Sequence, residues 1–133
     1  MRSSIVVLVA VVAGCMMGPT HRNFAPATGA RGIGADLRVT WGPKGRLQGE
    51  LLEVQDSALM ILSADRLVLV PITEIRVGRF TRRGTLIAEG QAHRRTLDEL
   101  KRLSRFPAGL SPEVKARLLA AYGQTAPDGP PPP

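Results

Sequence analysis

The sequence predicts a mainly β domain followed by helices, an α+β arrangement. Residues 35–80 alternate apolar and polar side chains in short runs broken by turn formers, whereas residues 96–123 change to helical spacing with cap residues. The flanking stretches 16–34 and 124–133 have no period and are rich in Gly and Pro, so neither can build a core. A chain of 133 residues divided in this way holds one small domain.

In the first strand, Leu37, Val39 and Trp41 alternate with Asp36, Arg38 and Thr40. Gly42-Pro43-Lys44-Gly45 turns the chain. The second strand, 46–55, puts Leu47, Gly49 and Leu51 on one face, then slips in phase to Leu52 and Val54. A slip without a proline predicts a bulge, which bends a small sheet. Asp56-Ser57 forms the next turn, Ala58 to Leu62 is a short apolar strand, and Ser63-Ala64-Asp65-Arg66 leads into Leu67 to Val70. Pro71 has no N–H to donate and ends that strand. After a brief turn at Ile72-Thr73-Glu74, the last strand carries Ile75, Val77 and Phe80.

Arg46-Leu47-Gln48-Gly49-Glu50-Leu51, the run from Val54 to Leu62, and Val70-Pro71-Ile72-Thr73-Glu74-Ile75 together resemble the SH3-like or Sm-like small barrel of five strands. The resemblance covers about a third of the chain and speaks to fold more than function. Sm-like members that bind RNA present an Asn shortly after the Asp of the third-strand turn, where this chain has Met60. Their second signature is Arg-Gly, where this chain has Arg76-Val77-Gly78. The RNA-binding residues of that family therefore do not carry over.

Residues 81–95 read as a basic connector, with room for an extra strand at Thr85 to Ala88. Thr96-Leu97-Asp98-Glu99 has the form of a capping box opening a helix with Leu97, Leu100 and Leu103 near one face; Pro107 and Gly109 stop it. Ser111-Pro112-Glu113 opens a second helix as N-cap, first-turn proline and acidic residue. Val114, Leu118 and Tyr122 recur every four residues and Gly123 follows as C-cap. The two helices, 96–123, are expected to form a hairpin whose apolar seam closes on itself or on the barrel, with Phe106 near the junction. Residues 124–133, ending in four prolines, are expected to be a disordered tail.

At the other end, Arg2 precedes the unbroken apolar stretch Ile5 to Ala13, and the small residues Ala13 and Gly14 precede Cys15, the layout of a secretory signal. The stretch falls short of the about 20 apolar residues needed to span roughly 30 Å of hydrocarbon. Val12-Ala13-Gly14-Cys15 resembles the lipobox of bacterial lipoproteins. That resemblance implies cleavage before Cys15 and diacylglyceryl transfer to its thiol, with residues 1–15 as signal and 16–34 as a flexible tether to the domain. Each buried CH₂ of such lipid contributes about 0.8 kcal/mol, so two or three chains anchor firmly. Val11 and Ala13 also suit an ordinary signal-peptidase site, which would leave a soluble secreted chain with a free thiol. Cys15 is the only cysteine, so no intramolecular disulfide is possible, and lipidation would account for the odd thiol. Met16 stands where an Asp would retain an enterobacterial lipoprotein at the inner membrane. The resemblance thus favours the periplasmic face of the outer membrane.

The formal charge is +7, and Arg2 is the only charged residue lost with the signal. A basic chain invites a nucleic-acid reading, but export puts lipid headgroups or cell-wall polymers in its place. The main surface candidate is the cluster Arg79, Arg82, Arg83, Arg94 and Arg95, either a solvated face that protects a sheet edge or a contact for phospholipid headgroups or an acidic partner. No catalytic set is legible. His21 lies in the tether and His93 among arginines, both read as solvated. Two histidines and one lipid-bound cysteine are too few for a zinc site, so neither metal nor cofactor is expected. Glu50, Glu53 and Asp56 read as solvated strand-edge carboxylates, with Glu50 and Glu53 on opposite sheet faces unless the bulge realigns them. Gly32-Ile33-Gly34 precedes a strand, which excludes a dinucleotide loop. The expected role is a membrane-anchored, non-enzymatic envelope module with an envelope protein partner; the alternative is an Sm-like nucleic-acid binder.

Overall fold

The structure, a computed structural model, describes residues 32–131. The segment read as a signal, with Cys15, the segment read as a tether up to residue 31, with His21, and the last two prolines lie outside the described residues. Six strands form one open antiparallel sheet: β1 (Gly34–Val39), β2 (Arg46–Val54), β3 (Ala58–Ser63), β4 (Arg66–Pro71), β5 (Ile75–Phe80) and β6 (Gly84–Ala88). Their order is β4-β3-β2-β1-β5-β6, and two helices follow, α1 (Arg94–Leu103) and α2 (Pro112–Ala121). The domain is mainly β and α+β. The five strands expected within 35–80 are joined by a sixth, β6, which coincides with the extra strand read at Thr85 to Ala88 inside the basic connector.

The phase slip in β2 is a bulge. Leu51 pairs with Ile61 and Glu53 with Met60, so Leu52 is the extra residue. Leu51 and Val54 thereby stay with Leu59 and Ile61 in one apolar cluster, which continues through Leu37, Ile75 and Ile87. Leu52 falls with Met60, Leu62 and Leu67 in a second cluster on the opposite face. Both faces of β3 are buried, which is why Ala58 to Leu62 is continuously apolar instead of alternating.

Each helix seals a different face. Leu100 of α1, fully buried, joins the first cluster with Leu97 packed beside it. Leu118 and Leu119 of α2 join the second, with Val114, Tyr122 and Phe106 packed against it. The apolar seams close on the sheet, one on each side. The connector between the helices is fastened to the bulge itself: Arg105 N–H donates to Leu51 O at 3.1 Å and Phe106 N–H to Leu52 O at 2.8 Å. Carbonyls that the bulge frees from the ladder are thus satisfied by the chain that leads from one face to the other.

Three expectations about segment ends need correction. The Thr96–Glu99 capping box does not form: α1 begins at Arg94 with His93 as an N-cap that makes no side-chain bond. Ala92 packs against the first cluster and fixes the helix entry there, and Glu99 is drawn to Arg83 at 3.2 Å. The tether does not run free to residue 34. Gly34 is already in β1, and Ile33 donates to Leu103 O and accepts from Leu51 N–H. The tail is not free from residue 124 either, because its first residues cover the edge strand β4. The Gln124 side-chain amide accepts from Leu67 N–H at 2.7 Å and donates to Leu67 O at 3.1 Å. Asp128 donates to Leu67 O and accepts from Leu69 N–H. An exposed strand edge is a template for unwanted pairing, and this segment occupies it.

The second helix behaves as its caps predict. Ser111 Oγ accepts from Val114 N–H at 3.3 Å. At the far end Gly123, at φ 64°, donates to Ala120 O while Gln124 N–H donates to Leu119 O, a Schellman pair. This turn delivers Gln124 to β4.

Candidate functional site

The sheet face that carries the second cluster is covered by α2 only over β2 to β4. On the other half, strand alternation turns Asp36 and Arg38 of β1 away from Leu37 and Val39, which lie in the first cluster. Residues opposite one another across the strands share this face: Arg38 pairs with Arg46 of β2 and with Val77 of β5, and Asp36 with Gln48 and Arg79. The register shift between Arg38 and Val39 makes Arg76 an extra residue of β5. The result is an open depression of about 460 Å³ lined by Arg38, Lys44, Arg46, Arg76 and Arg79 with one carboxylate, Asp36.

Lys44 arrives through the turn between β1 and β2, where it holds φ 63° between Gly42 and Gly45. Gly45 is required there: its φ is 59°, and a Cβ would lie 2.9 Å from Val39 O. Asp36 accepts from Arg46 Nε at 3.0 Å and Nη2 at 2.8 Å. These charge-assisted bonds hold the Asp36 carboxyl below its ordinary pKa, with Arg79 adding a smaller attraction. Asp36 and Arg46 therefore largely neutralise one another. Arg38, Lys44, Arg76 and Arg79 make no ion pair among the described residues. Glu89 lines an adjoining hollow with Arg38 and Arg76.

Of the five arginines singled out from sequence, only Arg79 lines this depression. Arg82 lies exposed in the turn between β5 and β6 at φ 65°. Arg83 bridges to Glu99, Arg94 lines a separate hollow with Asp56, Asp98 and Lys101, and Arg95 is exposed in the first turn of α1. Sequence reading missed Arg38, Lys44, Arg46 and Arg76. The signal for the Arg38–Arg46 pair was present in the alternation on either side of the 42–45 turn. The contribution of β5 depends on its pairing with β1, across about 40 residues of chain.

The carboxylates also differ from expectation. The bulge brings Glu50 and Glu53 to the same face, opposite Leu62 and Met60. Glu53 Oε1 accepts from Leu110 N–H at 3.0 Å, so it positions the start of α2. Glu50 is fully buried; it accepts from Gly32 N–H at 2.6 Å and faces Arg105 Nη1 at 3.4 Å. Asp56 is exposed, and His93 is exposed at the N-cap of α1. No group of three or more His, Cys, Asp or Glu close enough to hold a metal occurs among the described residues. No described helix is long and apolar enough to cross a membrane.

Set against known proteins, the chain matches no family model, no curated protein and no solved structure.

Proposed function

We propose that this chain is a bacterial envelope lipoprotein, anchored through lipid on Cys15, whose domain is a non-enzymatic interaction module for an envelope protein. The observation that carries the reading is Val12-Ala13-Gly14-Cys15 directly after the apolar stretch Ile5 to Ala13. The outer-membrane periplasmic face is the location favoured by Met16. We read the domain as a relative of the SH3-like barrels. The strand order, the bulged β2 and the single helical turn Ile72–Glu74 before β5 support that reading. A binding role is also favoured by how the polar side chains are engaged. Glu53 and Glu50 are tied to backbone and to Arg105, which leaves neither as a poised acid or base. Crosslinking in intact membranes followed by capture of the chain tests the module: repeated enrichment of one envelope protein is the expected result, and none contradicts it.

The second reading, an Sm-like nucleic-acid binder, draws on the basic depression and the +7 charge. Met60, which stands where RNA-binding relatives expose an Asn, is fully buried beneath α2. Finding the mature chain outside the cytoplasm removes the substrate for this reading.

A further inference from the structure

We infer that the basic depression on β1, β2 and β5 is the surface by which the domain lies on an anionic bilayer, with its arginines on the phosphodiester headgroups. The inference rests on the reading of Cys15 as a lipid anchor. Five cations face one carboxylate there, and that carboxylate is already engaged by Arg46. The hollow under α1 is different: Arg94 and Lys101 are matched by Asp56 and Asp98. The depression, about 460 Å³ and partly open to solvent, has room for headgroup phosphates. Four of its cations stand on three strands of a hydrogen-bonded sheet and Lys44 on the turn that joins two of them, so their backbone positions are fixed before any ligand arrives.

The tether sets the distance. With lipid on Cys15, the 16 residues between it and Gly32 bound how far the domain can lie from the membrane that holds the lipid. At physiological ionic strength charges are screened beyond about 8 Å, so the face with the largest unpaired charge decides which side turns to the bilayer. Near an anionic surface each Lys or Arg strengthens association by about fivefold.

Trp41, the single tryptophan, sits on the loop that supplies Lys44 and is a built-in donor for energy transfer to dansyl-labelled headgroups. The full chain is purified from membranes and reconstituted in phosphatidylcholine vesicles with or without phosphatidylglycerol. Transfer is expected to rise with phosphatidylglycerol, to fall with added salt, and to drop by about fivefold in apparent association for each change in the series Arg38→Gln, Arg76→Gln, Arg79→Gln. The charge-matched series Arg94→Gln, Arg95→Gln, Arg102→Gln is expected to stay near wild type. Transfer indifferent to phosphatidylglycerol, or equal losses in the two series, overturns the inference. So does a Trp41 response to a single-stranded oligonucleotide in place of phosphatidylglycerol. Intact mass of the same sample separates the two claims. Lipid on Cys15 with indifferent transfer refutes the surface and keeps the anchor. An unmodified Cys15 with phosphatidylglycerol-dependent transfer that the first series abolishes supports the surface and refutes the anchor.

Discussion

The Glu50 carboxylate and the Arg105 guanidinium face each other across 3.4 Å with side chains 0% and 1% exposed. Arg105 follows α1 and its backbone is fastened to Leu51, while Glu50 also takes the N–H of Gly32. The pair therefore ties together the approach to β1, the bulged strand β2 and the connector between the helices. Arg105 Nε and Nη2 are buried without a hydrogen-bond partner among the described residues, and the guanidinium lies 5.9 Å from the centre of the Phe106 ring. Removing one member of a buried pair strands the other charge, at a cost of about 3–5 kcal/mol, whereas replacing both with apolar groups is often neutral. Arg105→Met alone should lower unfolding stability by that amount, and the Glu50→Leu/Arg105→Met double variant should recover most of it. Urea denaturation of the four proteins of the cycle checks this.

Gln124 acts as a substitute peptide group for the edge of β4, donating and accepting at Leu67. Gln124→Ala leaves the buried Leu67 N–H unpaired, while the Leu67 carbonyl keeps the Asp128 N–H, a loss of about 1–3 kcal/mol. It also loosens the segment that covers the edge. A lower denaturation midpoint, with concentration-dependent association in light scattering, is the expected pair of results.

The same segment should loosen in acid. Hydrogen bonds from Arg66 hold the Asp128 carboxyl below its ordinary value of 3.8, against a smaller opposing effect of burial. A folded-state pKa that is depressed contributes stability that is complete above the unfolded value and is lost as pH falls through the folded one. Protection of the Leu69 and Asp128 amides against hydrogen exchange should therefore be steady from neutral pH down to about 4–5 and decline below it. In Asp128→Asn that decline should be absent, with protection lower throughout.

Leu118, 4% exposed, is the most buried of the α2 residues that cluster with Leu52, Met60 and Leu67. Leu118→Ala should cost about 2–5 kcal/mol. A loss near zero in denaturation would mean that α2 does not seal the second face.

The parts of the fold legible in the sequence are those set by local chemistry. The alternation around Leu37, the slip at Leu52, the break at Pro71 and the caps Ser111 and Gly123 all act within a few residues. The slip revealed a bulge but not its use, because its carbonyls are bonded by Arg105 and Phe106, more than 50 residues away. Glu50 was read as solvated because its partner is as distant in sequence. The tail was read as free because four prolines dominate its composition, while the residue that docks it, Gln124, has no local signature. For the basic site the same distinction holds. Arg79 stands in an arginine-rich segment, whereas Arg38 and Arg76 become neighbours of it only when β5 pairs with β1.

Anchoring to the membrane depends on Cys15. Intact-mass analysis of the membrane fraction, for the native chain and for Cys15→Ser, tests it directly. The predicted result is a chain beginning at Cys15 with a lipid-sized increment that the variant lacks. An unmodified native chain, uncleaved or cut after Ala13 and free of the membrane, would contradict it.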